Sequence, residues 1–257
     1  MTASVDASEL RALLLDADGN LFPSEEPAFA ASAGVMNRFL ASLGVQVEYT
    51  AESLLAMATG KTFRMTAVDL ATRHGVAVDS APASGSARGQ ALTAAALDGW
   101  VAEELDAVTR HLAQVLRPDD AVLGPVRRLA ARFLLAAVSS SALSRLDASF
   151  RAAGLAELLP PERRYSAEDS LATPTSKPDP AVYLHAAEQL GVAPREALAV
   201  EDSVAGAQSA VAAGIPTIGN VMFVPSFERD GRRAALLAAG ATTTVDSWEQ
   251  IARMLTG

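Results

Sequence analysis

Leu13-Leu14-Leu15-Asp16-Ala17-Asp18-Gly19-Asn20-Leu21 runs from three leucines into two aspartates one residue apart, then a glycine. A short apolar run that stops at polar residues and a glycine predicts a buried strand ending near Asp16. The same design recurs downstream. Residues 133–138 are apolar and end in Ser139-Ser140-Ser141, and residues 197–200 end in Glu201-Asp202. Residues 215–218 and 242–245 supply a fourth and fifth expected strand. Helical patterns separate them at 125–132, 142–153, 179–190, 203–213 and 247–255. Pro125 suits a first helical turn, and Gly154, Gly191 and Gly214 suit C-terminal caps. Strands alternating with helices predict an α/β fold with a parallel, Rossmann-like sheet covered on both faces.

Residues 23–116 break that rhythm. Stretches 27–43, 62–74 and 90–116 read as amphipathic helices, and no strand pattern lies among them. Residues 79–89, rich in Ser, Ala, Pro and Gly, read as a mobile loop. The expected organisation is therefore a core of residues 1–22 and 117–257 with a helical module, 23–116, inserted after the first strand.

Bulk properties narrow the chemistry. The chain has 257 residues, a net charge of −9 and no cysteine. Acidity without a basic run speaks against a nucleic-acid partner. The lack of thiols excludes disulfides, thiolate catalysis and structural thiolate zinc. No apolar run is long enough to span a bilayer and the first residues do not resemble a secretion signal, so a cytoplasmic location is expected.

In an open parallel sheet, ligands bind beyond the carboxyl ends of the strands. Three of the expected strands end in polar clusters, and Lys177, in Thr-Ser-Lys-Pro-Asp-Pro, lies in a loop able to join them. Carboxylates, a hydroxyl and an ammonium at one place suit phosphoryl transfer, in which catalysis is mainly positioning and charge stabilisation. A carboxylate nucleophile is repelled by a phosphoryl group unless a hard cation such as Mg²⁺ bridges them.

Four motifs carry a resemblance. They are Asp16-Ala17-Asp18-Gly19-Asn20-Leu21, Val138-Ser139-Ser140-Ser141, Lys177-Pro178-Asp179-Pro180-Ala181-Val182-Tyr183, and Val200-Glu201-Asp202-Ser203-Val204-Ala205-Gly206 followed by Ala212-Ala213-Gly214. In this order they resemble the haloacid dehalogenase superfamily, subfamily I with a helical cap, in the branch of phosphoglycolate phosphatases and β-phosphoglucomutases. The resemblance implies an Mg²⁺-dependent phosphatase acting on a small phosphorylated metabolite. It implies Asp16 as nucleophile and Asp18 as general acid and base. Ser139, Ser140 and Lys177 would bind phosphate. Asp16, Asp18 through its backbone carbonyl, Asp202 and Glu201 would hold Mg²⁺. Dehalogenases of this family lack an acid at position 18, which favours phosphate chemistry. Asn20 and Pro23 depart from the Thr and Asp usual there.

Bland readings stand beside these. Ser140 and Ser141 also suit helix capping, and Glu201 suits a salt bridge. Gly60-Lys61-Thr62 resembles the end of a P-loop, but the required earlier glycine is Leu55. In the capped family a glycine here marks a loop facing the active site, which makes Lys61 and Arg64 candidate substrate contacts. His74, His111 and His185 lack metal spacing. The alternative activity is a sugar phosphomutase of the same fold. Those enzymes carry a His near position 28, where this chain has Ala28. A non-catalytic phosphoacceptor is the third reading; its acidic pair would precede its acceptor Asp, the reverse of the order here.

Overall fold

The computed structural model describes residues 9–58, 62–77 and 92–257. They divide into two compact units, one of residues up to 24 and from 116 onward, the other of residues 25–115. The first unit is a six-stranded parallel sheet. Its strands are β1 (Ala12–Leu15), β2 (Leu134–Ser139), β3 (Arg164–Ser166), β4 (Ala197–Glu201), β5 (Thr217–Asn220) and β6 (Thr243–Val245), in the order β3-β2-β1-β4-β5-β6. β1 is wholly buried, which is why it is a continuous apolar run rather than an alternating one. The chain winds one way from β1 to β3 and the other way from β4 to β6. The reversal falls between β1 and β4, where such sheets open a crevice for ligands. Leu15, the last residue of β1, lies opposite both Ala137 and Val200, so β4 ends one residue and β2 two residues further along the same edge.

The sheet has one strand more than the sequence pattern predicts. β3 is three residues long and opens with a charged residue, so it carries no apolar run. Arg164 is buried all the same: it donates to the Leu159 carbonyl at 2.7 Å, pairs with Asp147 at 2.9 Å and lies 4.6 Å over the Phe150 ring.

The covering helices of this unit are α5 (Asp120–Ala130), α6 (Leu143–Ala152), α7 (Ala181–Gln189), α8 (Val204–Ala212), α9 (Arg229–Ala238) and α10 (Trp248–Thr256). Gly154, Gly191 and Gly214, just past α6, α7 and α8, all have positive φ, the conformation that ends a helix without a Cβ clash. Pro125 is placed differently from expectation. Asp119 caps α5 by accepting from the Ala121 N–H at 2.8 Å, so the helix begins earlier and Pro125 lies inside it, buried.

The second unit holds α1 (Glu25–Ser42), α2 (Ala51–Ala58), α3 (Phe63–Arg73) and α4 (Ala94–Val115), and no strand among the described residues. Met36, Phe39, Leu40, Leu70 and Leu97 form its core, with Phe39 and Trp100 meeting edge to face. The eight-residue α2 is too short for the sequence pattern to reveal. The loop read at 79–89 lies outside the described residues.

Candidate active site

Asp16 is the first residue past β1, and its N–H donates to the Val200 carbonyl of β4 at 3.0 Å. The Lys177 ammonium lies 2.5 Å from Asp16 Oδ1, 2.6 Å from Glu201 Oε1 and 2.8 Å from the Val138 carbonyl. Three acceptors take all three of its donors. Both carboxylates and the ammonium are buried, Glu201 completely. Glu201 also accepts from the Tyr183 hydroxyl at 2.6 Å and from Ser203 at 3.3 Å.

Asp202 follows at the end of β4. Asp16, Glu201 and Asp202 each offer an oxygen within 4.8 Å of the others. A buried donor set made only of carboxylate oxygens fits a hard divalent cation and not a soft one. Gly19 makes room beside it. Its φ is +77°, and a Cβ there would overlap Asp202 Oδ2. Arg232 in α9 donates to the Asp202 backbone carbonyl at 2.8 Å.

Asp18 occupies a separate network. Its carboxylate accepts from Ser24 at 2.6 Å and Ser141 at 2.7 Å, with Arg145 at 3.3 Å. The loop that carries it closes on itself, with Gly19 N–H bonded to the Phe22 carbonyl at 3.0 Å and Leu21 N–H to the Ala17 carbonyl at 2.9 Å. Buried Asn20 pins the loop to the sheet. Its amide donates to the Asp16 carbonyl at 2.9 Å and the Val200 carbonyl at 3.1 Å, and its oxygen accepts from Asn220 at 2.9 Å. Trp248 of α10 donates to the Asn20 carbonyl at 2.9 Å.

The two aspartates are tuned apart. Burial pushes the Asp16 carboxyl up to about 8, with Lys177 pulling the other way and Glu201 adding to the rise. Burial also acts to raise Asp18, but Arg145, the Ser24 and Ser141 hydroxyls and Lys177 outweigh it and hold that carboxyl below its ordinary value. Lys177 is held above the ordinary lysine range: burial opposes its charge, and Asp16 and Glu201 overcome it. Burial, then the nearby Glu201, raises Tyr183 well above its ordinary value, so it remains a hydroxyl donor. Lys177 and Asp16 both shift upward because one ammonium serves two buried carboxylates. The excess negative charge is relieved by a proton on Asp16 or by a cation.

The haloacid dehalogenase-like hydrolase family model matches residues 10–214. The chain belongs to that family. A haloacid dehalogenase-like hydrolase domain-containing protein of Arabidopsis thaliana is 52% identical over 42 residues, 16% of this chain and 13% of that protein's own length. Among solved structures, a haloacid dehalogenase-like protein of Agrobacterium tumefaciens is 26% identical with a TM-score of 0.65 over 96% of this chain and 98% of its own. A haloacid dehalogenase family hydrolase from Deinococcus radiodurans, solved with bound phosphate and sodium, is also 26% identical. Its TM-score is 0.63 over the same shares, 96% and 98%.

In this haloacid dehalogenase-like hydrolase, Asp16, Lys177, Glu201 and Asp202 come together at the carboxyl ends of β1 and β4, and Asp18 lies two residues beyond Asp16. Ser139 ends β2, buried, and accepts from the Ser141 N–H at 3.0 Å. Ser140 accepts from the Lys177 N–H at 3.2 Å, and so ties the Lys177 loop to β2. Arg64 pairs with Asp98 within the helical unit. Lys61 lies outside the described residues, while Thr62 caps α3 by accepting from the Met65 N–H at 3.3 Å. Sequence reasoning missed Asn20, Ser24, Arg145, Tyr183, Asn220 and Arg232. Three of them left a signal: Asn20 and Tyr183 lie inside the first and third motifs, and Asn220 ends a strand as Glu201 does.

Proposed function

We propose that this hydrolase is an Mg²⁺-dependent phosphatase of small phosphorylated metabolites, with residues up to 24 and from 116 as catalytic core and residues 25–115 as cap. One observation carries the reading. A buried ammonium is shared by Asp16 and Glu201 beside Asp202, while a second aspartate, Asp18, is held in its own network two residues away. Asp16, Asp202 and Glu201, with the Asp18 carbonyl, would hold Mg²⁺, which when bound neutralises charge on the phosphoryl oxygens.

The chain's own groups then act in order. Asp16 first gives up the proton that burial keeps on it, and Asp18, ionised in the free protein, takes one up; Asp16 then attacks phosphorus as the bond to the leaving oxygen breaks, and Asp18 passes its proton to that oxygen. Lys177, exchanging one of its three protein acceptors for the substrate, and the Ser139 hydroxyl would hold phosphoryl oxygens and keep phosphorus in line with Asp16. In the second half Asp18 takes a proton from water, the water attacks the aspartyl-phosphate, and Asp16 leaves as carboxylate with inorganic phosphate released.

The test is phosphate release from a panel of phosphorylated metabolites with Mg²⁺. Asp16→Asn should abolish turnover in a folded protein, and Asp18→Asn should lower kcat by ~10²–10⁴. EDTA should remove activity and Mg²⁺ restore it. Turnover that survives Asp16→Asn, or full activity in excess chelator, contradicts the reading. Phosphate returned to the sugar in place of release to solvent would select the mutase.

A further inference from the structure

Asn20 stands where the first motif usually has Thr, and its side chain spans the point where the sheet opens. It is fully buried, as is Asn220 at the end of β5. The Asn20 amide nitrogen divides its two protons between two strands. One goes to the Asp16 carbonyl just past β1, at 2.9 Å, and the other to the Val200 carbonyl of β4, at 3.1 Å. The Asp16 N–H bonds the same Val200 carbonyl at 3.0 Å. Both polar groups of the Asp16 backbone are thereby referred to one peptide group of β4, the one that leads into Glu201 and Asp202. A threonine hydroxyl has one proton and could serve only one of the two carbonyls.

A third strand fixes which way the amide points. The Met222 N–H donates to Asn220 Oδ1 at 3.1 Å, so the Asn220 nitrogen faces Asn20 and donates to its Oδ1 at 2.9 Å. At the far end are two carbonyls, which only accept, so the Asn20 nitrogen must face them. A donor at one end and acceptors at the other leave a single arrangement for both amides. Lys177 also bridges Asp16 and Glu201, but in the proposed reaction it exchanges a protein acceptor for substrate. The Asn20 amide bonds backbone that takes no part in the chemistry, so its hold persists through turnover.

We propose that Asn20 and Asn220 are a coupled pair of positioning residues. Asn220 aims the Asn20 amide, and that amide sets the spacing between Asp16 and the carboxylates at the end of β4. The inference rests on the phosphatase reading, in which that spacing governs both the hold on Mg²⁺ and the line of attack. Substrate binding does not depend on it.

The test reads Kd for Mg²⁺ by titration calorimetry of metal-free protein, and kcat and KM by phosphate release. Asn20→Ala should raise Kd ~10-fold or more and lower kcat by ~10–100-fold, the range for losing an outer support of a metal ligand, with KM little changed. Asn20→Thr, with one proton for two carbonyls, should recover part of both. Asn220→Ala should move both quantities the same way as Asn20→Ala, by less. The double alanine variant should match Asn20→Ala alone, because the pair acts through one amide. Val126→Ala, on the buried face of α5, controls for lost stability and should leave Kd and kcat unchanged. If Asn20→Ala does not fold, Asn20→Thr and Asn220→Ala carry the same comparison. Kd and kcat unaltered in the Asn20 and Asn220 variants, equal changes in Val126→Ala, or single effects that multiply in the double variant would overturn the inference and leave an Asp16-dependent phosphatase standing. No Mg²⁺ binding by the unaltered protein, or phosphate release that survives Asp16→Asn, overturns the phosphatase reading and this inference with it.

Discussion

Glu201 is buried without any exposure and is held by Lys177, Tyr183 and Ser203, so its carboxylate has one position. Gly206, in the first turn of α8, is what allows that position. A Cβ there would overlap the Glu201 carboxylate. Gly206→Ala should therefore cost about 1–3 kcal/mol of stability, the usual penalty of overpacking, and lower kcat as Glu201 is pushed off Lys177. Thermal denaturation and kcat of the variant check both, and an unchanged Tm with unchanged kcat would show that the contact yields freely. At this scale the motif letters told most about the charged groups that converge, a carboxylate after a strand and a lysine before a proline. They told least about Asn20, Tyr183 and Arg145. Those roles depend on which way a side chain turns once distant segments meet, and Asn20 alone joins elements 180 and 200 residues apart.

The segment 221–240 has no legible purpose in the sequence, and its element explains why. α9 opens with Arg229, Arg232 and Arg233 and has only Leu236 fully buried, so it offers little apolar pattern. Leu236 packs with Val221, Val224, Ala207 and Ala241. The arginines do the docking: Arg229 bonds the Val224 and Met222 carbonyls at 2.8 and 3.0 Å, Arg233 pairs with Asp246, and Arg232 reaches the Asp202 carbonyl. The helix thus braces the end of β4 from outside the cluster. β3 escaped the sequence pattern for a related reason, its Arg164 being buried through hydrogen bonds rather than apolar character. Arg232→Ala should raise the Mg²⁺ concentration for half-maximal activity about 10-fold, the low end for loss of an outer support of a metal ligand, with KM for substrate little changed. Arg232→Lys should recover part of it. An Mg²⁺ requirement untouched by Arg232→Ala would mean that β4 holds Asp202 unaided.

At the scale of the whole chain, the alternation of short apolar runs and helices sufficed to foresee a parallel sheet, and polar strand ends sufficed to foresee that Asp16, Glu201, Asp202 and Lys177 come together. The strand order was not legible, because crossovers are set by packing that only the folded chain displays. That order places four carboxylates, Asp16, Asp18, Glu201 and Asp202, with two cations, Lys177 and Arg145, in a protein already at −9. The imbalance has a consequence for stability. Asp16 in the folded chain holds its proton up to about pH 8, whereas in the unfolded chain it loses it near 3.8. Between these values the folded state binds more protons, so the Asp16 contribution to stability falls as pH rises through the window. Asp18 acts oppositely: its lowered value gives a contribution present at neutral pH and lost only in acid. Metal-free protein should accordingly lose Tm from pH 5 to pH 8 more steeply than its Asp16→Asn variant, which lacks the titrating group. If Asp16 holds Mg²⁺ as proposed, the ion must displace that proton, so its stabilisation should grow over the same range. At 100 times Kd the gain is about 2.7 kcal/mol, enough to raise Tm by several degrees. Scanning Tm against pH with and without Mg²⁺ checks the argument. A slope shared by both proteins, or an Mg²⁺ shift equal at pH 5 and pH 8, would place the excess charge elsewhere than on Asp16.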